Sequence, residues 1–193
     1  VQRQVKQLFA TPLWIYQVED YRFLNKKLLV DSAEYKTGNH EFLDLPSEGI
    51  AELKKIVIGI VTEIAVENNW VYDNLNIRSR LNPMEPGEFD TPHHHPGSDM
   101  LGIYYINTPK NCGDIQFIDC RGSVSNMWKD PNITNDGIMR DGRVSVKIEP
   151  KPGMLLLFPN YLIHSVEPNF SNDTRISVVF EFRFINKGIE NEY

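Results

Sequence analysis

HHHPGSDMLGIYYINTP, residues 93–109, changes character at its Pro96-Gly97 step. Beyond that step, Met100 to Asn107 is almost continuously apolar, has no helical period and is closed by Thr108-Pro109. It reads as a buried strand entered through a turn. Ahead of the turn stand three of the chain's five histidines. Side chains alternate faces in an extended backbone, so His93 and His95 share a face about 6.6 Å apart along the strand, while His94 points the other way. Two imidazoles so placed can converge on one metal ion, although a polar turn that merely contains histidine accounts for the pair equally well.

The same period of two recurs on both sides. NLNIRSRLNP (74–83), GDIQFID (113–119), VSVKIEP (144–150), GMLLLFPN (153–160) and TRISVVFEFRFIN (174–186) are strand-like, and most are bounded by Gly, Pro, Asn or Asp. With no helix between them a doubly wound sheet is excluded, and a sandwich or jelly-roll barrel is favoured. The amino-terminal part differs. A short strand is expected around Leu13 to Val18, then a helix or pair of turns in YRFLNKKLLVDSAEYKT (21–37). SEGIAELKKIVIGIVTEIAVENN (47–69) carries a Ser cap and apolar residues at Ile50, Leu53, Val57, Ile60, Val61 and Ile64, the pattern of an amphipathic helix. The polar stretch 120–143, with Met127 and Trp128, is too long for a hairpin loop and reads as a lid or an insertion.

Composition narrows the function. The 193 residues suit a single domain, with 1–69 supporting a β core over 70–186. A formal net charge of -6 disfavours nucleic acid as a partner, and no apolar run reaches membrane-spanning length. The two cysteines, Cys112 and Cys120, read as thiols of a cytoplasmic protein. Oligomeric state is not set by these features.

Two further residues give the histidine pair weight. His164 follows the apolar strand GMLLLFPN, a third imidazole in a chain that has few. Arg175 and Ser177 share one face of the last strand. A guanidinium there is costly to bury without an anion, and a small acid held bidentately by Arg175 with help from Ser177 would supply one. Tyr104 or Tyr105 would add a donor, since parity lets only one face inward.

HHHPGSDMLGIYYINTP, GDIQF, GMLLLFPNYLIHSV and RIS together resemble the Fe(II)- and 2-oxoglutarate-dependent oxygenases, in particular their prolyl-hydroxylase-like branch, over residues 70–185. The resemblance implies a mainly β fold with an N-terminal helical layer: a double-stranded β-helix, jelly roll and cupin-like, holding Fe(II) in its mouth. It implies His93 and His164 as metal ligands, and Arg175 and Ser177 as the pair that grips 2-oxoglutarate. The usual motif is His-X-Asp or His-X-Glu, and His95 stands where that acid is expected. Three sets stay open: His93, His95 and His164; a set in which Asp99 displaces His95; or one completed by Asp90. The implied reaction hydroxylates a small-molecule or side-chain substrate with dioxygen and releases succinate and carbon dioxide. Two other classes remain open. One is a three-histidine cupin-type dioxygenase without 2-oxoglutarate, and the other a non-catalytic jelly-roll binding or virion-associated module.

Overall fold

The structure, a computed structural model, describes residues 10–35, 41–119 and 145–186. Two helices come early, α1 (Tyr21–Glu34) and α2 (Glu48–Glu67), joined through a single 3-10 turn at Phe42–Asp44. In α2 the buried positions Ile50, Leu53, Val57, Val61 and Ile64 follow the expected three-and-four spacing. Ser47 starts the helix: its Oγ accepts from Ile50 N (3.5 Å) and donates to the Asp31 carboxylate (2.5 Å), which ties α2 to α1. Close approach of the two helices needs Gly49, where a Cβ would stand 2.7 Å from the Cβ of Lys27.

Among the described residues, nine strands make two antiparallel sheets. They are β1 (Trp14–Gln17), β2 (Asn74–Met84), β3 (Asp90–His93), β4 (Met100–Asn107), β5 (Ile115–Ile118), β6 (Ser145–Ile148), β7 (Met154–Pro159), β8 (Ile163–Val166) and β9 (Arg175–Ile185). One sheet runs β1-β7-β4-β9-β2 and the other β3-β8-β5-β6. The larger sheet is buried on both sides, which explains why β4 and β7 read as nearly unbroken apolar runs. Tyr104, Leu155, Leu157, Val178, Phe180 and Phe182 pack beneath the helices. The alternate residues Leu101, Ile103, Tyr105, Leu156 and Phe158 meet Ile115 and Phe117 of the smaller sheet. Period two therefore sends neighbours to opposite cores.

The closed double-stranded β-helix expected from the sequence, jelly roll, cupin-like and mainly β, is corrected by this pairing. Each sheet ends in edges, β1 and β2 in one and β3 and β6 in the other, and no ladder joins the two sheets among the described residues. The architecture is mixed α/β: two N-terminal helices and two open antiparallel sheets, neither closing into a barrel. Alternation reports which face of a strand is buried, whereas closure depends on which strand pairs with which and at what stagger. With α1 and α2 covering one face of the larger sheet, its apolar surface is satisfied without curling the strands around.

Asn25 on α1 locks that helical layer to β4. Its Nδ2 donates to the carbonyls of Ile106 (2.7 Å) and Tyr105 (3.3 Å), and its Oδ1 accepts from the Tyr104 hydroxyl (2.6 Å). Asn25→Ala strands the buried Tyr104 hydroxyl and removes the helix-to-sheet bonds. It should cost about 3 kcal/mol of unfolding free energy. Chemical denaturation should show a lower midpoint with an unchanged slope.

Candidate metal centre

The β3–β8 ladder sets His93 directly opposite His164, their ring centroids 4.4 Å apart. His95 lies just past the end of β3 and is returned to the site by a tight turn. There Gly97 has φ +97°, Ser98 Oγ donates to the His95 carbonyl (3.1 Å) and His95 N donates to the Asn160 carbonyl (3.3 Å). Its ring lies 5.1 Å from that of His93, and 5.4 Å from that of His164 with an interplanar angle of 8°. One nitrogen from each ring falls within 4.8 Å of the other two. His94 is exposed on the other side.

Each ring also has an outward partner that fixes its tautomer. His93 Nδ1 lies 2.7 Å from the Thr91 carbonyl, His164 Nδ1 lies 2.9 Å from the Leu162 carbonyl, and His95 Nδ1 lies 3.1 Å from Glu181 Oε1. An oxygen acceptor calls for N–H at Nδ1, which leaves the Nε2 lone pair of all three rings free for a cation. Burial reinforces the neutral form. It lowers the pKa of His164 to about 4, against the opposing pull of the Leu162 carbonyl. It also lowers that of His95, although Glu181 opposes it. Three neutral nitrogen donors with fixed tautomers suit a divalent transition metal.

The cleft at the triad is also lined by Arg175, Ser177, Arg80, Asn82 and Asp90, and Leu101, Ile103 and Phe158 give it an apolar wall. Its enclosed space is narrow, ≈ 20 Å³, room for about one water molecule. Arg175 is 2% exposed, yet it has no carboxylate partner among the described residues. Its Nη2 donates to Met84 Sδ (2.7 Å), and its guanidinium carbon lies 5.8 Å from the centre of the Tyr105 ring. Its Nε and Nη1, like the Tyr105 hydroxyl, find no hydrogen-bond partner among the described residues. Ser177 is fully buried, its hydroxyl 3.4 Å from the Asn82 carbonyl.

The structure thus brings together His93, His95, His164, Arg175 and Ser177, with Tyr105 packed behind the arginine. Tyr104 lies on the opposite face, bonded to Asn25 under the helices. Asp99 is away from the cleft. It lines a separate pocket with Trp14, Trp70 and Tyr161, and its Oδ2 accepts from Phe184 N (2.7 Å). Asp90 borders the cleft without joining the cluster of metal-capable groups. The lid expected at 120–143, and Cys120, lie outside the described residues; Cys112 is buried. Glu181 is the residue sequence reasoning missed. Its signal was parity, since it falls on the same face of β9 as Arg175 and Ser177, in the middle of an otherwise apolar run.

Residues 78–181, more than half of the chain, match the family described as "Putative 2OG-Fe(II) oxygenase". The chain belongs to this 2OG-Fe(II) oxygenase family. Among solved structures, a prolyl-4-hydroxylase from Pseudomonas putida is similar with TM-score 0.62 and 14% identity, over 91% of this chain and 89% of that one. The alpha-ketoglutarate-dependent carbocyclase SnoK from nogalamycin biosynthesis gives 0.61 and 10%, over 94% and 85%. AviO1 from Streptomyces viridochromogenes gives 0.60 and 11%, over 90% of each chain. At such identities the likeness is one of fold. No curated protein matches the chain.

The buried histidine leaves a pH signature in the metal-free protein. The unfolded chain binds a proton at His164 near pH 6.5, while the folded chain resists it until about pH 4. Stability is therefore fully present above the unfolded value and is lost as pH falls through that window. Between pH 7 and 5 the His164→Gln variant should lose about 2 kcal/mol less than the parent, measured by urea denaturation with chelator present.

Proposed function

We propose that this protein is a mononuclear iron-dependent dioxygenase whose Fe(II) is held by His93, His95 and His164, a three-histidine site of the cupin type. The observation that carries the reading is the ligand set itself: three convergent imidazoles, each with its outer nitrogen engaged, and, among the described residues, no carboxylate grouped with them around the same ion. Iron(II), when bound there, supplies the reactivity toward dioxygen. The chain's part is to hold and shield. His164 anchors the centre from a buried strand, with the Phe158 ring 5.0 Å away excluding water on that side. His95 closes the open side from its turn. Arg175, a buried cation whose Nε and Nη1 face no acceptor among the described residues, fits a carboxylate presented beside the metal.

That same arginine favours a second reading. With Ser177 it matches the pair that the family resemblance assigns to the distal carboxylate of 2-oxoglutarate, which would make the chain a 2-oxoglutarate-dependent hydroxylase. The narrowness of the cleft, ≈ 20 Å³ of enclosed space, weighs the other way for a five-carbon diacid.

Anaerobic Fe(II) titration with and without 2-oxoglutarate separates the two. The three-histidine reading predicts iron binding that is lost in His93→Ala, His95→Ala and His164→Ala. It also predicts no visible charge-transfer band on adding 2-oxoglutarate, and no succinate once air is admitted. A visible band with succinate formation would transfer the assignment to the second reading. Iron binding untouched by all three substitutions would remove both.

A further inference from the structure

We propose that Glu181 is a positioning residue of the metal centre, supplying from behind His95 the negative charge that the three-histidine ligand set lacks. The inference rests on that ligand set. Three neutral imidazoles leave a divalent cation with no anionic donor, and a charge of that size dominates the electrostatics of its surroundings. Glu181 Oε1 lies 3.1 Å from His95 Nδ1, in line to accept its proton. A carboxylate behind a ligating imidazole fixes the plane of the ring and raises the donor strength of the opposite nitrogen.

The placement is rigid. Glu181 sits in the interior of the larger sheet, in register with Arg78 of β2 on one side and Leu101 of β4 on the other. It shares its face with Arg175, Ser177 and Val179, all of which line the cleft. A competing role as an ordinary cross-strand ion pair is weaker on the geometry. Arg78 Nη1 is 3.8 Å from Glu181 Oε2, and the Arg78 side chain is 59% exposed, whereas His95 is closer and its side chain only 15% exposed. The acid that oxygenase relatives usually carry at the second motif position has its counterpart here one hydrogen bond further out.

Cobalt(II) titration of the full chain tests this, because the ion reports both affinity and ligand field without turnover. Glu181→Gln keeps an oxygen that can accept from the His95 ring but removes the charge, while Glu181→Ala removes both. Each variant should weaken Co(II) binding about tenfold or more and shift its visible absorption, with the melting of the metal-free protein little changed. If Glu181→Gln binds within about twofold of the parent with the parent's spectrum, the charge role is overturned, even should Glu181→Ala fall. If the parent takes up no Co(II), or His164→Gln binds as tightly as the parent, the three-histidine reading itself fails and the inference falls with it.

Discussion

The centre depends on one cross-strand register: His93 of β3 opposite His164 of β8. A slip of a single residue along that ladder would turn one of the two imidazoles to the other face, because strand side chains alternate. The surrounding structure fixes the register. β8 is flanked on its other side by β5, with His164 opposite Phe117, and Phe158 packs against the His164 ring. The larger sheet then supplies most of the remaining lining, from Arg80 and Asn82 on β2 to Arg175 and Ser177 on β9, while Asp90 and Val166 come from the smaller sheet. The site is a seam between two sheets, and each sheet contributes a different chemistry.

That division also separates the charges. The smaller sheet and its turn bring three imidazoles whose Nδ1 groups are held by the acceptors behind them, with burial favouring the neutral form of His95 and His164. The larger sheet brings cations, one of which, Arg175, is almost fully buried with no acid to meet it among the described residues. Retaining an uncompensated guanidinium costs the folded state on the order of several kcal/mol of desolvation. Such a cost is tolerated where an anion is bound during function. Glu181, in the interior of the larger sheet, is bonded to the His95 ring, so it serves an imidazole rather than the buried arginine.

Much of this was legible in the residues. Period two brought His93 and His95 together in the sequence, although it is the turn at Gly97 beyond the end of β3 that returns His95 to the site; the same rule paired Arg175 with Ser177 and allowed only one of Tyr104 and Tyr105 to face the cleft. The amphipathic pattern from Ile50 to Ile64 gave α2 and its buried stripe. Pairing was not legible, because alternation carries no record of a strand's partner; a barrel was therefore expected where two open sheets lie under a helical layer. Nor was Glu181 singled out, since a lone acid in a strand ordinarily faces solvent, and its contact with His95 spans 86 positions of sequence. The rivalry between His95 and Asp99 likewise depended on the turn at Gly97, whose course places the aspartate against the Phe184 backbone.

The central claim is the identity of the metal's ligands. A crystal structure of the Fe(II) complex grown without oxygen, with anomalous scattering locating the iron, addresses it most directly. The account predicts iron bound by Nε2 of His93, His95 and His164, with Glu181 still bonded to His95 Nδ1. A carboxylate of Asp99, Asp90 or Glu181 bound to the iron in place of His95 would contradict it.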